Sequence, residues 1–234
     1  RFFNGEVMVE ATDIETGGFG HGSGHKRTYT NRITPDFNRG QGWDWNVENW
    51  PYLNPSPYGW ATYQLLGNIY TIDWFYKETD GSFTTLFGRL MTLKEDTSNN
   101  VFLLEHADGT VLKFNDFSHS TRPGGFISIT SPGGNTTSVD DSIGEDILDV
   151  QRSYTSGSDP ITESFYYELF ESGAHSEQLE RVTLRRRTNA GAWQNVQKVE
   201  YTYYGSNDDF GSLNDLETAT RYEWQGSAWV ELDV

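Results

Sequence analysis

The segment His21-Gly22-Ser23-Gly24-His25 sets two imidazoles four residues apart, a spacing that holds a metal ion when both stand on one helix face. The glycines and serine between them forbid a stable helix, and no third ligand stands nearby, so the stretch reads as a connector loop. Gly22-Ser23-Gly24 is also out of register for the Gly-x-Ser-x-Gly of a hydrolase nucleophile elbow. Two acidic runs offer oxygens to calcium: Asp140, Asp141, Glu145, Asp146 and Asp149, then Asn207, Asp208, Asp209 and Asp215. Neither follows a calcium-loop spacing, and both read as solvated acidic turns. Trp43, Trp45, Trp50, Trp60 and Trp74, five of the 8 tryptophans, gather among Pro51, Pro55 and Pro57. Beside prolines they read first as core, with stacking platforms for sugars as the alternative. Arg185, Arg186 and Arg187 suit a basic strip paired with acidic neighbours on the outer face of a sheet. With 34 acidic residues, carboxylate pairs of glycosidase type arise by coincidence and carry no information. No phosphate loop, Ser-His-Asp spacing or zinc motif is present, so no catalytic, cofactor-binding or metal residue is expected.

The elements that would position these groups are strands. Aromatics make up 15% of 234 residues, and Thr, Ser and Gly are abundant while Leu, Met and Ala are sparse. That is the composition of pleated sheets and tight turns. The formal charge of −17 argues against a nucleic-acid partner, whose phosphates need a basic surface, and is common in exported and salt-adapted proteins. Cysteine is absent, which removes disulfides, thiol catalysis and thiolate metal sites. No apolar run reaches membrane-spanning length. The chain begins at Arg1 with neither Met nor a signal-like segment, so a processed or excised piece is expected.

In "GEVMVEATDI", Val7, Val9 and Ala11 alternate with Glu6, Met8 and Glu10, predicting a strand with the first set on one side. Residues 35–76 predict an irregular lobe packed with aromatics. From about residue 83 strand-like pieces recur every dozen or so residues. Asp108-Gly109, Pro132-Gly133-Gly134 and Asn189-Ala190-Gly191 supply turn signals between them. The run from Glu163 to Thr183 repeats 37 positions later, from Glu200 to Thr220, with six of 21 positions identical. The first copy could be written as an amphipathic helix. The second cannot, because in "KVEYTYY" Val199, Tyr201 and Tyr203 alternate with Lys198, Glu200 and Thr202. Two copies of one unit share a fold, so both are strands. Ala192-Trp193 recurs as Ala228-Trp229, and the last unit stops at Val234 as an interrupted repeat.

Several of these pieces resemble the RHS/YD-repeat family. Tyr201-Thr202-Tyr203-Tyr204, Gly211 and Leu216 stand where that family has a Tyr-x-Tyr-Asp strand, a Gly turn and a Leu strand, with Tyr204 in place of Asp. "GGFISITSPGGN", Gly124 to Asn135, is similar to its Gly-Arg-Leu strand and Asp-Pro-x-Gly-Asn turn, with Phe126 for Leu and Ser131 for Asp. "ADGTVLKFND" carries Asp108, Gly109, Thr110, Phe114 and Asp116 in a similar hairpin. "NGEVMVEATDIETGGFG", "RTYTN" and "GQGWDWNVENWPYL" resemble the opening of the RHS shell. The family's autoproteolytic Asp-Pro-x-Gly is not matched at Asp159-Pro160, which lacks the glycine.

The resemblance implies an all-β protein: antiparallel strands and hairpins in a curled RHS/YD-type ribbon, with the Trp-rich lobe near the N-terminus. Two parts are expected, 1–82 as the opening segment and 83–234 as hairpin repeats. The function it implies is a non-enzymatic structural segment of an exported or cell-surface wall. Its partners would be adjoining repeats or further copies of itself, with no nucleic acid, no membrane insertion and no cofactor. The alternative is a glycan-binding β module that uses the Trp-rich lobe at a cell surface.

Overall fold

A computed structural model describes residues 8–17, 23–30, 45–67 and 72–233. Three antiparallel sheets account for more than half of them. Strands β1 (Met8–Thr16), β2 (Ser23–Thr30) and β3 (Trp45–Val47) form the first. Strands β4 (Tyr52–Pro55), β5 (Tyr63–Leu66), β6 (Ile72–Lys77) and β7 (Phe83–Thr85) form the second, followed by a 3₁₀ turn at Leu86–Gly88. The third is an eleven-stranded meander in which every strand pairs with its neighbours in sequence. It runs through β8 (Met91–Asp96), β9 (Val101–His106), β10 (Val111–Asn115), β11 (Phe126–Thr130), β12 (Thr136–Ile143) and β13 (Asp146–Ser156). It continues with β14 (Asp159–Leu169), β15 (Leu179–Thr188), β16 (Gln194–Tyr203), β17 (Leu216–Trp224) and β18 (Trp229–Asp233). The sheet stays open, since β18 and β8 are its two ends.

Side-chain alternation explains why these segments are strands and which face they bury. On β14, Glu163, Phe165 and Tyr167 point inward, while Tyr166 and Glu168 lie on the other face. On β16, Val199, Tyr201 and Tyr203 are buried and Thr202 is exposed. A period of two over ten residues excludes the helical reading of this region. A single apolar core joins the three sheets, with Ile14 and Val47 from the first, Leu53, Leu65 and Phe75 from the second, and the inner face of the meander opposite. The two small sheets therefore cover one face of the large one, and the antiparallel meander exposes the other.

Two glycines matter for this assembly. Gly109 takes φ +89° in the tight turn between β9 and β10, a conformation that costs other residues dearly. At Gly124 the four-stranded sheet meets the meander: the Leu53 amide donates to the Gly124 carbonyl at 2.9 Å. A Cβ there would lie 2.0 Å from the Leu53 carbonyl oxygen, and φ is +68°.

Three features differ from the sequence reading. A register shift between Thr12 and Ile14 moves the inward set of β1, so that Asp13, Ile14 and Thr16 are buried while Val9 is 51% exposed. A bulge of this kind reverses the facing of everything beyond it. Val7 lies outside the described residues. The Trp/Pro-rich lobe holds an ordered sheet of short strands, and that sheet extends to Thr85. The duplicated unit is a strand, loop and strand in both copies, but its structural phase is not the constant 37. Tyr167 pairs with Val182 and Tyr201 with Ala219, so the first strands are offset by 34 and the second by 37. The extra three residues sit in the loop. Both loops close alike, with the Phe170 amide on the Gln178 carbonyl and the Tyr204 amide on the Asp215 carbonyl.

Candidate functional site

His25 is not in a connector: it stands on β2, wholly buried among Asp13, Arg27, Tyr167 and Tyr201. His21 lies outside the described residues. Asp13, from the neighbouring strand, receives both arms of Arg27, with Nη2 to Oδ1 at 2.8 Å and Nε to Oδ2. The Tyr201 hydroxyl donates to the same Oδ2 at 2.7 Å. His25 Nε2 lies 3.9 Å from it, and Nδ1 is 3.4 Å from the Tyr167 hydroxyl, which accepts from Trp50 Nε1 at 2.5 Å. Burial outweighs the Asp13 carboxylate and pulls the His25 pKa from 6.5 to about 4, so the imidazole is neutral near pH 7. Burial likewise holds the Tyr167 and Tyr201 hydroxyls protonated.

A second buried cluster lies further along the same interface. Glu163 accepts from Arg152 Nε at 2.8 Å and Arg186 Nη2 at 2.5 Å, and Thr16 of β1 donates to it at 3.2 Å. Glu163 and Arg152 are almost fully enclosed, while Arg186 is partly exposed. These two networks seat the N-terminal sheet on β13–β16. Most of their polar atoms hydrogen-bond one another, which fits a structural role.

The three consecutive arginines divide between faces. Arg186 turns in toward Glu163, whereas Arg185 and Arg187 lie outward against Trp193, with guanidinium carbons 4.6 and 4.3 Å from the ring centre. Arg185 also bonds Asp149 at 2.9 Å. Asp149 is thus a buried partner, unlike its solvated neighbours Asp140, Asp141 and Glu145. Asp146 is half-buried, and desolvation together with Glu177 and Glu145 raises its pKa to about 6. In the second acidic run, Asp208 and Asp215 accept from the Gly205 and Ser212 amides as turn caps. No group of three or more His, Asp or Glu among the described residues is placed to hold a metal ion. Asp159-Pro160 opens β14 in an exposed hairpin.

The outer face of the meander is a ladder of paired charges and rings. Arg181 bridges Glu168 at 2.7 Å and Glu200 at 3.3 Å across three strands. Lys198 bonds Glu200 at 2.5 Å and lies over the Tyr222 and Trp229 rings. Its two edges differ. Beside β8 lies β7, and Lys77 of β6 bonds Glu95 of β8. Beside β18 the described residues supply no strand, and Val230 and Leu232 are exposed there.

The tryptophans divide too. Trp50 is buried against Phe126, Phe165 and Tyr167. Trp43 and the Trp45 side chain lie outside the described residues. Trp60, however, is 48% exposed and stacks on Tyr58, 52% exposed, with ring centres 5.5 Å apart and planes 11° from parallel. Trp74 closes on Trp60 at 4.7 Å, and Phe87 meets it edge-on at 6.1 Å. Tyr58 and Phe87 were not singled out in the sequence. The signal for Tyr58 is the turn chemistry of "NPSPYGW", Asn54 to Trp60, which favours an exposed turn that carries rings. A cleft of about 450 Å³ also opens where the three sheets meet, lined by Lys26, Glu48, Trp50, His106, Asp108 and Leu112 among others.

The fold defines a class: an all-antiparallel β protein built on an open meander with one face packed and, among the described residues, no strand beside β18. No family model and no curated protein matches this chain.

Proposed function

We propose that the chain is a structural, non-enzymatic segment of an exported β-wall of the RHS/YD type, extended by adding strands at β18. The single observation that supports this most is the asymmetry of the eleven-stranded sheet: β7 lies beside β8 without pairing with it, whereas along β18 the described residues supply no neighbouring strand. Unpaired strand edges are templates for further strands, and proteins that do not use them cover or charge them. The repeated unit ending in that edge gives the wall its direction: each strand-loop-strand unit buries its apolar face against the neighbouring sheet and offers a new edge. In this reading the charged outer ladder faces solvent or the wall's surroundings, and the ribbon curls as it grows. The partner at β18 is an adjoining repeat or another copy of the chain.

Sedimentation of the isolated protein tests this. Self-association that rises with concentration and is abolished by Val230→Lys with Leu232→Lys, both at exposed positions, is the expected result. A chain that stays at 26.6 kDa at every concentration overturns the reading.

A further inference from the structure

We infer that Tyr58, Trp60, Trp74 and Phe87 form a stacking platform for a neutral glycan. The platform is independent of strand addition at β18, because it lies on the four-stranded sheet and its turns. Four rings from three separate segments converge: the turn after β4, strand β6 and the 3₁₀ turn after β7. They are in contact with one another, yet Trp60 is 48%, Tyr58 52% and Phe87 80% exposed. Rings gathered to stabilise the fold turn toward the core, as Trp50 does.

The backbone at Phe87 points the same way. It sits at φ 63°, ψ 28°, followed by Gly88 at φ +70°. Two successive left-handed residues call for Asn or Gly at the first position. A phenylalanine there is strained and leaves its ring in water, which folding alone does not favour. What the ring gains is an edge-on contact that extends the platform beyond Trp60.

The geometry selects the ligand. A cage for a methylated ammonium needs an empty space between rings, whereas ring centres here lie 4.7–5.6 Å apart among Tyr58, Trp60 and Trp74. Only the outer faces are open, and these accept a flat partner presenting C–H groups, as a pyranose ring does. The chain's charge of −17 opposes anionic sugars and anionic membranes. The nearest ions along the chain, Asp73 beside Trp74 and Arg89 beyond Phe87, bond each other at 2.7 Å. Neither therefore sets up a net charge, and the half-exposed guanidinium keeps donors for sugar hydroxyls.

The test is titration with neutral oligosaccharides: cellohexaose, chitohexaose, maltohexaose, xylohexaose and mannohexaose. Binding is followed by tryptophan fluorescence and calorimetry at protein concentrations low enough to keep β18 unassociated. Saturable binding of at least one sugar, weakened about tenfold or more by Trp60→Ala and by Phe87→Gly, supports the platform. Phe87→Gly relieves backbone strain, so its melting temperature should not fall, which separates lost binding from lost folding. Trp229→Ala, on the remote outer ladder, should leave binding unchanged. No saturable response to any of the sugars at millimolar concentration overturns the inference. So does binding that survives Trp60→Ala, or saturable binding of tetramethylammonium without any of sugar.

Discussion

Protonation of His25 should unfasten the N-terminal sheet in mild acid. The imidazole is enclosed by Asp13 and Arg27 from the first sheet and by Tyr167 and Tyr201 from the meander. Its pKa falls from 6.5 in the unfolded chain to about 4 in the folded one. The unfolded state thus binds the proton more readily, and the stability this group contributes is complete above pH 6.5 and is lost as pH falls toward 4. Linkage with those two values gives a loss of about 1 kcal/mol at about pH 5.5 and about 2–3 kcal/mol at about pH 4.5. Asp146 has the opposite sign. Its folded pKa of about 6 lies above the ordinary 3.8, so its contribution is present at low pH and is lost as pH rises through about 6. Partial exposure screens it, making its effect the smaller. Urea unfolding followed by tryptophan fluorescence at several pH values measures both. His25→Phe keeps a ring against Tyr167 and Tyr201 but cannot titrate, so the gap between its stability and that of the parent should narrow by those amounts as the medium is acidified. Asp146→Asn should instead remove the compensating term and steepen the parent's loss. A constant gap between parent and His25→Phe from neutral pH down to about pH 4.5 would refute the reasoning.

Two further substitutions probe the seams between sheets. Gly124→Ala should cost more than about 4 kcal/mol or detach the four-stranded sheet, since its Cβ would strike the Leu53 carbonyl. Gly134→Ala, also at positive φ but with open space around it, should cost only about 1–2 kcal/mol, and chemical denaturation would show the contrast. Glu163→Gln leaves the enclosed Arg152 guanidinium without a counter-charge and should cost about 3–5 kcal/mol. Arg186→Gln, at the exposed end of the same cluster, should cost about 1 kcal/mol or less; equal losses in the two melts would contradict this assignment.

How much of this was legible in the sequence depends on whether a residue's role was local. The alternation of Val199, Tyr201 and Tyr203 sufficed for strands and for their inward face, and the turn at Gly109 was written in Asp-Gly. Local pattern failed at β1, because a bulge between Thr12 and Ile14 carries no signature in "ATDIET" and reverses which residues face the core. It failed for His25, whose burial is decided by tyrosines more than 140 positions away. The repeat was visible as a word, yet its structural phase was not. Aligning the tyrosine pairs matched Tyr167 with Tyr204, whereas the sheet matches Tyr167 with Tyr201 and places three extra residues in the loop. The run Arg185-Arg186-Arg187 predicts one outward strip, but alternation sends Arg186 to the opposite face from its neighbours. For the aromatic platform, composition marked the Trp-rich region, while only three-dimensional convergence separates buried Trp50 from exposed Trp60 and adds Tyr58 and Phe87.

Growth of the wall at β18 is tested most directly by amide hydrogen exchange at low and high protein concentration. The expected result is that amides of Trp229–Asp233 gain protection as concentration rises, while those of Met91–Asp96, already flanked by β7, do not change. Protection that is the same at both concentrations, or that appears along β8 in place of β18, would contradict the β-wall reading.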